Sequence, residues 1–122
     1  MAYETYWEEE GIRREFSGTV TDDDLLRCNR ELYDDPRFVS IRYELVDFLA
    51  VDGLAAGADV VRRVARMDKE QSARNPDVRV AIVAKAPLVR GLSQLYALSA
   101  GETPWVTELF ETEEGARAWL GA

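Results

Sequence analysis

The fold turns on the stretch Val78-Arg-Val-Ala-Ile-Val-Ala84. Its apolar side chains run on with almost none of the alternation of a half-wet strand. Such a run marks a strand covered on both faces, in the middle of a sheet. Asn75-Pro76 just before it ends a long helical pattern over roughly residues 54–73. There Gly57, Ala58, Val60, Val61, Val64, Ala65 and Met67 make an apolar face, opposed by Asp59, Arg62, Arg63, Arg66, Lys69 and Glu70. After the strand, Pro87 stands in the first turn of a further helix, where its missing N–H costs nothing. Leu88, Leu92, Leu95 and Leu98 follow at helical spacing until Gly101. A buried strand set between two helices predicts parallel crossovers, which are right-handed.

Working outward, residues 2–9 carry Tyr3, Thr5 and Trp7 on one parity and Tyr6 on the other, a strand composition. Gly11 turns the chain into a second strand, with Ile12, Phe16 and Val20 on one parity and Arg13, Glu15 and Ser17 on the other. Two strands joined so tightly form an antiparallel hairpin. Thr21-Asp-Asp-Asp24 reads as a capping box with Asp24 in the slot usually held by Glu or Gln. The helix it opens runs to Asp34-Asp-Pro36. In the third strand Val39, Ile41, Tyr43 and Leu45 alternate with Ser40, Arg42 and Glu44, which predicts one buried and one wet face. Residues 47–53 then read as a connection. Trp105–Phe110 is the last strand and Thr112–Leu120 the last helix, burying Ala116, Trp119 and Leu120. The order ββαβαβαβα predicts an α/β fold with its helices mainly on one face of the sheet. Residues 1–122 show no repeat or linker and are expected to form a single domain.

Composition narrows the function. The 122 residues are 47% hydrophobic and 31% charged, the balance of a globular chain with a core of its own. With no histidine and one cysteine, His-based triads, zinc fingers and a disulfide framework are out. The net charge of −8, from 23 acidic and 15 basic side chains, points away from nucleic acid. Much of the surplus lies in runs such as Asp22–Asp24 and Glu113–Glu114, which follow Thr21 and Thr112 and suit helix first turns better than a metal site. The polar opening is no signal peptide, no apolar run approaches the ~20 residues of a membrane helix, and the expected address is cytoplasmic. No catalytic residue, cofactor or metal site is expected.

Three segments together resemble a known superfamily. They are Gly18-Thr-Val-Thr-Asp-Asp-Asp-Leu25, Arg79-Val-Ala-Ile-Val-Ala84 and Phe110-Glu-Thr-Glu-Glu-Gly-Ala-Arg-Ala-Trp-Leu120. With these the chain resembles the STAS/SpoIIAA-like superfamily, the anti-sigma-factor antagonist domains and their small stand-alone bacterial relatives. The resemblance implies a mixed five-stranded sheet with four helices and a non-enzymatic role. Switch members of that superfamily carry Asp-Ser-Ser/Thr-Gly-Leu before the long helix, with a serine that a partner kinase phosphorylates. The corresponding stretch here is Ala50-Val51-Asp52-Gly53-Leu54, and no Ser or Thr lies between Val46 and Ala58. A kinase switch is therefore not expected.

Candidate sites follow from the strand ends and the surplus aromatics. Asp47, Phe48, Asp52, Gly53, Lys85 and Pro87 lie just past the carboxyl ends of adjacent strands, where open α/β sheets place ligands, and are expected to cluster as a partner or ligand loop. Asp52 has two readings, an N-cap for the long helix or a permanent charge where relatives present a phosphorylatable serine. Tyr3, Tyr6 and Trp7 occupy both faces of the first strand and suggest a homodimer face. Cys28 has no activating neighbour and is expected to be a buried apolar side chain. The basic stripe Arg62, Arg63, Arg66 and Lys69 reads as a solvated helix face. The leading functional expectation is a protein-interaction module, acting on a protein partner or on a second copy of itself. The alternative is a carrier for a small apolar ligand or lipid, related to Sec14-like proteins, with Leu88, Val89, Leu92 and Tyr96 as walls.

Overall fold

In a computed structural model, which describes residues 2–101 and 103–122, the chain opens with the expected hairpin. Strand β1 (Tyr3–Trp7) pairs antiparallel with β2 (Gly11–Thr21), Tyr3 opposite Phe16 and Trp7 opposite Ile12. Helix α1 (Asp22–Asp34) follows, then a 3-10 turn over Pro36–Ser40, β3 (Tyr43–Ala55) and α2 (Ala58–Gln71). Strand β4 (Arg79–Val83), α3 (Pro87–Ala100), β5 (Val106–Phe110) and α4 (Glu113–Leu120) complete the chain. The five strands lie in the order β1-β2-β3-β4-β5, and β2 through β5 are parallel. The capping box at Thr21 forms as read: its side chain accepts from Asp24 N at 3.2 Å, and Asp24 Oδ2 accepts from Thr21 N at 2.9 Å.

Both faces of the sheet are covered. Ile12, Val80 and Ile82 pack with Leu32 and Tyr33 of α1 and with Met67 of α2. The opposite parity, Leu45, Ala81 and Val83, lies under Ala116, Trp119 and Leu120 of α4. The first three helices each connect two parallel strands, so the right-handed crossover rule keeps them on one side. Helix α4 is not a crossover between two strands of this sheet, and it packs on the other side. A charge network ties it down there. Arg117 donates to both carboxylate oxygens of Glu8 at 2.6 and 2.7 Å, and Tyr43 OH donates to the same carboxylate. Arg13 adds a bond from Nε to Glu113 Oε1 at 3.2 Å. Among the described residues no helix is long and apolar enough to cross a membrane.

Three boundaries differ from the sequence reading. Val39 and Ser40 are not strand. Asp35 caps a 3-10 turn by accepting from Arg37 N at 2.9 Å, with Pro36 in its first position and Phe38 buried beneath it. The strand also runs on through residues 47–55, because β2 is eleven residues long and offers partners as far as Thr21 opposite Ala55. Helix α2 accordingly starts at Ala58, with Gly57 as its N-cap. Finally, of the parity expected to be wet, Ser40 and Arg42 are exposed but precede the strand, and Glu44 within it is not. Glu44 is 5% exposed on the face covered by α1–α3, while Tyr43 and Leu45 face α4.

Candidate functional site

Between the sheet and helices α1, α2 and α3 lies a cavity of ≈ 100 Å³. Its walls are mostly apolar: Phe16 from β2, Val46 and Phe48 from β3, Val61 and Val64 from α2, Ile82 from β4, and Leu92 from α3. Phe16 and Phe48 stack with ring centroids 5.0 Å apart, fixing one wall. The polar side of the cavity comes from three charged residues, one from each of β2, β3 and α2: Arg14, Glu44 and Asp68. All are buried, at 2%, 5% and 4% exposure.

These side chains are inside because of their register. Arg14 lies between Ile12 and Phe16 on the core-facing parity of β2. Asp68 lies at i+4 and i+7 from Val64 and Val61, on the apolar face of α2. Asp68 is well supported: Tyr33 OH donates to Oδ1, and Tyr96 OH donates to Oδ2 at 2.5 Å. Ser93 Oγ donates to Val89 O at 2.8 Å and Asn29 Nδ2 to Leu25 O at 2.9 Å, so both satisfy themselves within their own helices. Arg14 is the exception. Its Nη1 donates to Cys28 O at 2.8 Å and contacts Cys28 Sγ, but its buried Nε has no hydrogen-bond partner. The nearest carboxylate oxygen, Glu44 Oε1, is 3.9 Å away, beyond hydrogen-bond range.

One guanidinium thus serves two buried carboxyls. Burial raises the pKa of Glu44 against the pull of Arg14. Burial, and then the Glu44 charge, push Asp68 up to about 7 despite the hydrogen bonds from Tyr33 and Tyr96. Burial also pushes the Cys28 thiol up to about 12, although Arg14 opposes it. Two close carboxyls sharing one counter-charge favour a shared proton over two full anions.

No family model matches the chain, and no curated protein matches it. Solved structures do, two of them as follows. An uncharacterised protein of the DUF3478 family with a SpoIIAA-like fold, from Shewanella loihica, superposes with a TM-score of 0.61 at 18% identity, over 98% of this chain and 92% of that one. The Bacillus cell fate determinant SpoIIAA, in its phosphorylated form, gives 0.62 at 15% identity, over 98% of this chain and 99% of that one. The fold is SpoIIAA-like.

On this SpoIIAA-like frame the residues singled out from sequence are spread over several places. Val89, Leu92 and Tyr96 line the cavity, but Leu88 is 63% exposed on the outside of α3. Phe48 is a cavity wall, whereas Asp47 points to the other face, 3.6 Å from Arg13, where it also accepts from Leu49 N at 2.8 Å. Asp47 pairs in register with Val83, two residues before exposed Lys85 and four before exposed Pro87. Asp52 and Gly53 lie further along, on the part of β3 that only β2 accompanies, so the expected loop cluster is not assembled. Asp52 is an exposed strand residue rather than a helix cap. Tyr3 is buried at 5% and Trp7 packs against the core beneath the Arg37 guanidinium; only Tyr6 stands on the outer face, beside Arg13. The SpoIIAA-like fold therefore divides the three aromatics between its two faces.

Sequence reasoning missed Arg14, Glu44 and Asp68, though a signal was present. Each is a charge at a position where the apolar period of its own element, or its partner strand's, calls for a core residue.

Proposed function

We propose that the chain is a non-catalytic binding domain that holds a compact, largely apolar molecule between its sheet and helices α1–α3. The cavity carries this reading. Protein interiors keep few voids larger than a water, and this one is walled by aliphatic and aromatic side chains with polar groups gathered on one side. Its ≈ 100 Å³ lies between the roughly 30 Å³ share of one water and the about 150 Å³ void that takes benzene. A molecule of a few heavy atoms fits within it. A thiol held at about 12 supplies no thiolate at neutral pH, and the chain has no histidine to act as a base. Ala50–Leu54 offers a kinase no hydroxyl side chain, so the reading includes no phosphoserine switch.

The test is a titration with methylcyclopentane followed by protein NMR. Saturable shifts at Val46, Val64 and Leu92 are expected, and Leu92→Trp, which fills the cavity, is expected to abolish them. A wild-type spectrum that does not respond would overturn the reading.

A second reading, docking of a protein partner or a second copy, is favoured by α3. That helix turns Leu88 (63% exposed) and Leu98 (79%) to solvent. Light scattering at high micromolar concentration separates the two readings: a dimer that Leu98→Glu dissociates supports docking, and a monomer removes self-association.

A further inference from the structure

We infer that the cavity's ligand carries one neutral hydroxyl, received between the Nε–H of Arg14 and the carboxyl of Glu44. The inference rests on reading the cavity as a binding site and adds the chemistry of the bound group.

Arg14 is the starting point. It is among the largest fully buried side chains, and its Nε is the one buried side-chain nitrogen or oxygen among the described residues with no hydrogen-bond partner. Burying a charged donor unpaired is expensive, and native interiors almost always supply an acceptor. Glu44 is the obvious acceptor but stops 3.9 Å short. That gap is too long for a direct bond and suits one interposed oxygen at about 2.8 Å from each side. An oxygen placed there accepts from Arg14, and a hydroxyl can also donate to a Glu44 oxygen whether or not that carboxyl holds a proton. A ketone or an ether can engage Glu44 only when it is protonated.

The charge of the site selects further. Arg14 already faces two carboxyls, Glu44 and Asp68. With a proton shared between them, the pair carries one negative charge that already balances the guanidinium. An anionic head group would add an uncompensated charge, and a cationic one would be driven against Arg14 itself. A neutral group leaves the balance as it stands. The rest of the ligand meets Phe16, Val46, Val64, Ile82 and Leu92, so its body is hydrocarbon.

Cyclopentanol and methylcyclopentane share a shape and differ only by hydroxyl for methyl, so titrating both against the full chain isolates the polar end. Cyclopentanol is expected to bind about tenfold tighter or better, the scale of one buried hydrogen-bonded group. In the paired variant Arg14→Met with Glu44→Gln, which removes both charges together, methylcyclopentane is expected to bind as before and the preference to fall to about onefold. The wild-type comparison decides by itself if that variant does not fold. Equal affinity of the two probes, or an unchanged preference in the paired variant, would overturn the hydroxyl site while leaving the cavity reading intact. Binding of neither probe would overturn the cavity reading, and the hydroxyl site with it.

Discussion

Asp68 shows most directly how one residue makes stability depend on pH. An unperturbed aspartate titrates near 3.8, while in the folded chain the group is held up to about 7, facing Glu44, Arg14, Tyr33 and Tyr96. Between those values the native chain keeps a proton that the unfolded chain has released. The contribution to stability is therefore full below about pH 4 and is lost as pH rises through about 7. Glu8 runs the other way, since the hydrogen bond from Arg117 lowers its pKa, and its contribution disappears in acid. Subtracting one melting curve from another isolates Asp68. The Tm advantage of wild type over Asp68→Asn is expected to shrink steadily from pH 4 to pH 8. A difference that stays constant over that range contradicts this account. Gly11 is a second position governed by a single atom. A Cβ there would stand 2.5 Å from the ring of Tyr43, whose hydroxyl is anchored on Glu8. Tyr43 is buried and tied at its hydroxyl, so the ring must shift against its packing, and Gly11→Ala is expected to cost about 1–3 kcal/mol in a denaturant melt.

The two helix starts make opposite predictions at the level of elements. Thr21 caps α1 through a reciprocal pair of hydrogen bonds, so Thr21→Ala is expected to cost about 1 kcal/mol. Asp52 caps nothing, and Asp52→Ala is expected to stay within about 0.5 kcal/mol of wild type. A cost above 1 kcal/mol in urea would show that the exposed strand position is wrongly understood. The contrast also shows what the chain discloses on its own. The box at Thr21, Pro87 in the first turn of α3 and the two-sided burial of Val80–Val83 are all local signals, and each stands in the structure as the residues indicate. The path of β3 is not local. Asp52-Gly53 before a helical pattern looks like a cap, and only the length of β2 beside it makes those residues a strand. The cavity was half legible for the same reason. Leu92 and Tyr96 announce an apolar wall, but the meeting of Arg14, Glu44 and Asp68 depends on three elements that pair far apart in the chain.

At the scale of the whole molecule, the sheet is sheathed unequally. Three helices cover one face, whereas α4, eight residues long, covers the strip of Leu45, Ala81 and Val83 on the other. Its hold depends on Ala116 and Trp119 in that strip and on Arg117 gripping Glu8 at 2.6 and 2.7 Å. The pair is about a quarter exposed, which limits its worth to about 1 kcal/mol, so Arg117→Ala is expected to loosen α4 without unfolding the sheet. Hydrogen exchange reads this directly. Amides of α4 should exchange faster in the variant while those of β4 stay protected, and equal protection of α4 in both proteins would refute the fastening role. Because every strand lies beside its predecessor, a chain leaving the ribosome can add each one to a sheet edge that already exists. The covering of Leu45 has no such convenience. A chain cut after Phe110 would leave the strip of Leu45, Ala81 and Val83 bare, a greasy surface open to any chaperone nearby.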